Sequence, residues 1–134
     1  MIGFRYSGLR WKYQLQVGAI PMSSEIIKQL RRMDGAVIVD VVGELTLRES
    51  PDFHATLIEL CDQAPGKLVV NLAEVTFIDS SGVGTLTDIF RRMKKSGGEL
   101  ALVGLVKMVR SVFEITRLDQ FLSIYETEDE ALRS

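Results

Sequence analysis

Two adjacent hydroxyls, Ser80 and Ser81, follow a carboxylate, Asp79, and lead into Gly82-Val83-Gly84. A serine in such a place can attack a substrate, accept a phosphoryl group from another enzyme, or cap a helix. Attack needs a base, and in an α/β-hydrolase it also needs a nucleophile elbow. The elbow is absent, because Ile78 and Asp79 stand where its first glycine would be. The single histidine, His54, falls inside a separate amphipathic stretch and reads as a partly exposed helix residue. The single cysteine, Cys61, shares an apolar face with Leu57 and Leu60 and reads as a small buried hydrophobe. One cysteine and one histidine exclude an internal disulfide, a cysteine-built zinc site and a multi-histidine metal site. The Gly82-Val83-Gly84 pair lacks the third glycine of a dinucleotide fingerprint, Thr87 standing in its place, and no standard P-loop is present. Glu128, Asp129 and Glu130 read as a solvated terminal helix. Capping and modification therefore remain for the serines. Ser and Asp oxygens accept the orphan N–H groups of a helix start. A phosphate there would meet the same groups and a favourable dipole. The two glycines would let another backbone approach closely, or serve tight helix–sheet packing.

The surrounding pattern says what positions the block. Residues 36–43 (AVIVDVVG) are β-branched and read as a buried strand, with residues 26–33 pairing beside it as a hairpin or an edge. Glu49 or Ser50 opens a helix with Pro51 in its first turn, and Phe53, Leu57, Leu60, Cys61 and Ala64 form one face. Pro65-Gly66 stops it. Residues 67–72 make a second strand, and Asp79 to Gly82 start a second helix faced by Val83, Leu86, Ile89, Phe90 and Met93. Arg91, Arg92, Lys94 and Lys95 suit its C-terminal end, and Gly97-Gly98 closes it. Residues 99–104 form a third strand. Val109, Val112, Phe113 and Thr116 mark a third helix, residues 121–125 a short strand, and residues 128–132 a short acidic helix. Strands alternating with helices imply an α/β domain with parallel crossovers.

The chain has 134 residues, 46% hydrophobic and 25% charged, as expected of one soluble domain. A net charge of −2 gives no overall basic footprint for nucleic acid. No apolar run reaches the length of a membrane span, and a cytoplasmic location is expected. Residues 1–22 differ from the rest. They carry Arg5, Arg10 and Lys12 without an acid, so they are +3, against 13 bases and 18 acids (−5) in residues 23–134. This basic extension reads as a flexible leader, as sequence upstream of a start at Met22, or as an extra edge strand over residues 11–17. It lacks the apolar core of a secretory signal.

From residue 24 onward the chain resembles the STAS domain, and within it the bacterial anti-sigma factor antagonists. The resemblance rests on Gly43-Glu44-Leu45, on Leu68-Val69-Val70-Asn71-Leu72 followed by Val75 to Gly84, on Gly97-Gly98-Glu99-Leu100 with Leu102-Val103-Gly104, and on Val109 to Leu118. It implies one domain over residues 23–134: a mixed sheet with helices packed mainly on one face. It implies no catalysis and no cofactor. The implied partner is an anti-sigma factor, often a serine kinase using ATP, whose binding releases a sigma factor. Phosphorylation would end that binding, and a metal-dependent phosphatase would restore it. The family's phosphoserine falls on Ser80, with Ser81 as runner-up. Asp79, Ser80, Ser81, Gly82, Val83, Gly84, Glu44 and Thr46 are the expected partner-contacting residues. Thr46 stands where family members commonly carry an aspartate that helps shape the site. A monomer or weak dimer is expected. Three other readings stay open beside this one: a STAS interaction module of another complex without a phosphoswitch, a nucleotide-binding domain, and a small hydrolase.

Overall fold

Asp34 and Gly35, with φ angles of 49° and 83°, reverse the chain between β1 (Ile27–Met33) and β2 (Ala36–Leu45) in the computed structural model, which describes residues 25–134. Two consecutive left-handed residues are what a two-residue hairpin turn requires, and Asp-Gly is a favoured pair for it. Residues 26–33 thus supply both alternatives open in the sequence, since β1 pairs antiparallel with β2 and is also an edge of the sheet. The reading of residues 11–17 as an edge strand lies outside the described residues.

The remaining strands are parallel: β3 (Lys67–Ile78), β4 (Glu99–Val103) and β5 (Ser123–Tyr125), in the spatial order β1-β2-β3-β4-β5. Helices α1 (Ser50–Asp62), α2 (Ser80–Lys95) and α3 (Lys107–Ile115) make the crossovers. A 3-10 turn at Leu118–Gln120 precedes β5, and α4 (Glu128–Arg133) follows it. The expected mixed α/β sheet is present.

Strand alternation sorts the sheet into two faces. Val37, Val39 and Val41 of β2, Leu68, Val70 and Leu72 of β3, and Leu100 and Leu102 of β4 lie in the main core with α1, α2 and α3. Phe53, Leu57, Leu60, Leu86, Ile89, Met93, Val109 and Phe113 cover them from the helices. Ile38, Val69, Ala101 and Val103 face the other way, where Ala131 of α4 covers them with help from Tyr125 and Leu132. Three helices therefore pack on one face and one short helix on the other.

β3 is longer than the six residues its apolar run suggested. After a bulge, β2 and β3 continue as an arm, pairing Val42 with Glu74, Gly43 with Val75, Glu44 with Phe77 and Leu45 with Ile78. β4 pairs with β3 only over residues 67–71, so this arm outruns its neighbour. Val75 and Ile78 keep it attached to the core. Three residues fall differently from their expected places. Ala64 lies past the end of α1, exposed, with φ 53°. Thr116 is the exposed C-cap of α3. Phe121 precedes β5 and is 67% exposed.

Candidate functional site

The candidate block sits at the C-terminal end of β3, where the first turn of α2 leaves the sheet. Asp79 is the N-cap in extended backbone. Its Oδ1 accepts from Ser81 N at 2.9 Å and Gly82 N at 3.2 Å, and from the Ser81 hydroxyl at 2.5 Å. Its Oδ2 accepts from Leu47 N at 3.0 Å, while its own N–H donates to Leu45 O. One carboxylate thus satisfies the helix start and ties it to the chain leaving β2. The Ser81 hydroxyl, foremost, and these N–H groups hold the Asp79 carboxyl below the usual carboxylate range.

The two serines receive different surroundings. Ser81 is half-buried, and its hydroxyl lies 3.0 Å from that of Ser50, the first residue of α1. Ser50 in turn donates to Thr46 O at 2.9 Å. Ser80 is exposed, and among the described residues its hydroxyl has no hydrogen-bond partner.

Gly82 faces inward. A Cβ there would stand 2.7 Å from Ile78 Cγ1 and 2.9 Å from Leu45 O. The close approach that this glycine permits is that of β2 in the same chain, so it offers a partner no open surface. Val83 is buried as well. Gly84 and Glu44 are exposed, and Thr46 is half-buried. Thr46 donates its hydroxyl to Glu49 Oε1 at 2.7 Å. That bond places a carboxylate next to the threonine, a contact over three residues that the sequence reading missed. Leu47, 72% exposed, and Phe77, 41% exposed, are the other surface residues that reading missed. Both are large apolar groups flanking a polar loop, but a lone exposed apolar residue carries no signal in sequence.

His54 and Cys61 lie elsewhere, on the α1–α2 seam. His54 Nε2 is 2.7 Å from Asp88 Oδ2, which also accepts from Arg92 Nε at 2.8 Å. Arg92, then His54, keep the Asp88 carboxyl below its ordinary range. Burial pushes the Cys61 thiol up to about 11, which makes it a packing residue. Among the described residues no group of three or more His, Cys, Asp and Glu could hold a metal, and no helix is long and apolar enough to cross a membrane.

The STAS domain family model matches residues 28–131. The anti-sigma-B factor antagonist of Bacillus subtilis is 28% identical over 95 residues, spanning 71% of this chain and 86% of that protein. The crystal structure of an anti-sigma factor antagonist from Mycobacterium paratuberculosis superposes with a TM-score of 0.73 at 27% identity, covering 78% of this chain and 89% of that one. The Bacillus cell fate determinant SpoIIAA, in its phosphorylated form, superposes with a TM-score of 0.62 at 25% identity, covering 78% and 96%.

Proposed function

Because the chain belongs to the STAS domain family, we propose that it is an anti-sigma factor antagonist, switched by reversible phosphorylation of Ser80. It binds an anti-sigma factor, which is also its serine kinase, and so releases a sigma factor. A metal-dependent phosphatase resets it. The observation that carries the switch is the contrast between the two serines. Ser80 presents an exposed hydroxyl at the start of α2, whereas Ser81 is engaged by Asp79 and Ser50. The phosphorylated form of a structural neighbour supports the same reading.

The electrostatics explain why a phosphate here would switch binding without unfolding the domain. Asp79 already occupies the N–H groups of Ser81 and Gly82. A phosphate on Ser80 cannot take those donors without displacing the cap, so it is displayed outward, beside an ionised carboxylate. It brings about −1.5 to −2 charges to the surface a partner must touch. A binding loss of about 3–4 kcal/mol corresponds to several hundredfold in affinity.

Intact-mass analysis tests this after incubation with ATP and the kinase-type anti-sigma factor. The wild type and Ser81→Ala gain one phosphate, and Ser80→Ala gains none while still binding the partner. Phosphate on Ser80→Ala but not on Ser81→Ala moves the switch to Ser81. Ser80→Asp is expected to weaken binding with little change in Tm, since acids are tolerated at helix N-termini.

One observation favours a second reading. Thr46, in place of the family's usual acid, is committed to Glu49. A protein that binds its partner constitutively, as a STAS interaction module of another complex, would gain no phosphate in that assay and would bind equally well as Ser80→Ala.

A further inference from the structure

The two serines differ in how their hydroxyl protons and lone pairs are used, as well as in exposure. Thr46 O accepts from Glu49 N at 3.0 Å and from Ser50 N at 2.9 Å, which already engages both lone pairs of a carbonyl. The Ser50 hydroxyl lies 2.9 Å from that crowded oxygen and 3.0 Å from Ser81 Oγ. Its one proton is therefore shared with Ser81, which has a lone pair to receive it. Ser81 does not return the bond, because its own proton goes to Asp79 Oδ1 at 2.5 Å, and an ionised acceptor is preferred to a neutral one. Ser81 thus donates to Asp79 and accepts from Ser50. Ser50 is buried at the start of α1, so its hydroxyl is held against α2 by the fold. Among the described residues the Ser80 hydroxyl has no such partner.

We propose that Ser50 is a positioning residue that selects the phosphate acceptor: it holds the Ser81 hydroxyl out of reaction, so that phosphate goes to Ser80. This inference rests on the Ser80 switch proposed above. Phosphoryl transfer to either hydroxyl is one in-line displacement. A lone pair on Oγ attacks the γ-phosphorus of ATP and the Oγ–P bond forms. The bond from that phosphorus to the β–γ bridging oxygen breaks, ADP leaves with its electron pair, and the hydroxyl proton passes to a base. Ser81 has a base in place, because Asp79 already accepts from its hydroxyl. By that contact alone Ser81 is the readier nucleophile of the two. To react, however, it must turn away from Ser50 and give up the bond it receives, whereas Ser80 gives up nothing. Removing the Ser50 hydroxyl therefore does more than weaken a packing contact. It frees a serine that already has its proton acceptor.

The test maps the phosphate by peptide fragmentation after incubation of the full chain with ATP and the kinase-type anti-sigma factor. The Ser80→Ala background isolates Ser81. Adding Ser50→Ala to it is expected to put phosphate on Ser81, at a rate at least about fivefold above Ser80→Ala alone, the factor for losing one hydrogen bond. Two further variants separate the hydroxyl from the stiffness of the turn. Ser50→Thr keeps a hydroxyl and should restore the block. Pro51→Ala loosens the same exposed first turn of α1 and leaves Ser50 intact; with Ser80→Ala it should leave Ser81 unmodified. The proposal is overturned if Ser50→Ala with Ser80→Ala stays without phosphate while the wild type is modified at Ser80, a result that leaves the switch itself standing. It is overturned as well if Pro51→Ala opens Ser81 as effectively as Ser50→Ala, since general loosening would then be the cause. Phosphate on Ser81 of the wild type would show that no gate operates. A wild type that gains no phosphate at all would instead remove the switch, and the selection with it.

Discussion

At the scale of single residues, the block is held by one carboxylate with several duties. Asp79 caps α2, fixes the Ser81 hydroxyl and anchors Leu47. Its proton affinity is lowered in the fold, so the native state binds that proton less tightly than the unfolded chain does. Such a group contributes stability that is complete above the ordinary carboxylate pKa of 3.8 and is lost as pH falls through the lowered folded value. Asp79→Asn keeps a capping oxygen and loses the charge. We expect its Tm to lie below the wild type's at pH 7 and the gap to narrow as the pH falls below 3.8; an offset that stays constant as the pH is lowered through the carboxylate range would remove the charge from this account. The block's chemistry was legible in sequence, because a carboxylate followed by two hydroxyls and a glycine reads as a helix start by residue type alone. What separates the serines was not. Ser50 reaches Ser81 from 31 residues away, and no local pattern encodes that contact. The Thr46–Glu49 bond escaped for a related reason, since a threonine after a strand gives no hint of which acid it will engage.

At the scale of elements, the site depends on how closely α2 approaches β2. Gly82 has no room for a methyl group beside Ile78 and Leu45. Gly82→Ala forces the first turn of α2 away from the sheet, an overpacking that costs about 1–3 kcal/mol. Denaturant unfolding should show a lower midpoint with an unchanged slope, and the Asp79 cap should weaken with it. An unaltered midpoint would mean that the turn shifts without strain. The elements themselves were readable where punctuation and periodicity agree. Pro51, Pro65-Gly66 and Gly97-Gly98 bracket α1 and α2, and their apolar faces repeat at helical spacing. The far half of β3 was not readable. Its bulge breaks alternation, so exposed Ala73, Glu74, Thr76 and Phe77 interrupt the buried Val75 and Ile78. Those two residues are what carry the site to the end of the arm.

At the scale of the whole molecule, one guanidinium joins the edge strand, the sheet and the C-terminal helix. Arg31 of β1 donates to both oxygens of Asp40, at 2.9 and 2.7 Å, and to both oxygens of Glu128 in α4. Gln29 and Asn71 complete the shell of Asp40, which is only 8% exposed. The hydrogen bond from Arg31 to Glu128, foremost, raises the Arg31 pKa further above its already basic value. The planar fork is what lets one side chain serve two carboxylates. α4 is six residues long and buries Ala131 alone, so apolar contact by itself holds it weakly. Removing the arginine leaves Asp40 buried among neutral donors and releases α4 from the sheet. Full burial would put the cost of breaking such a pair at about 3–5 kcal/mol; the partial exposure of Arg31 brings the expectation for Arg31→Met to about 2–3 kcal/mol. Removing both charges tests the cause, because the penalty comes from the carboxylate left behind. The double variant Arg31→Met with Asp40→Leu should recover part of the loss in denaturant unfolding. If it is no more stable than Arg31→Met, α4 is held by its capping box and by Lys67, whose Nζ donates to the Ser134 carbonyl at 2.9 Å, and the cluster around Asp40 is not the latch.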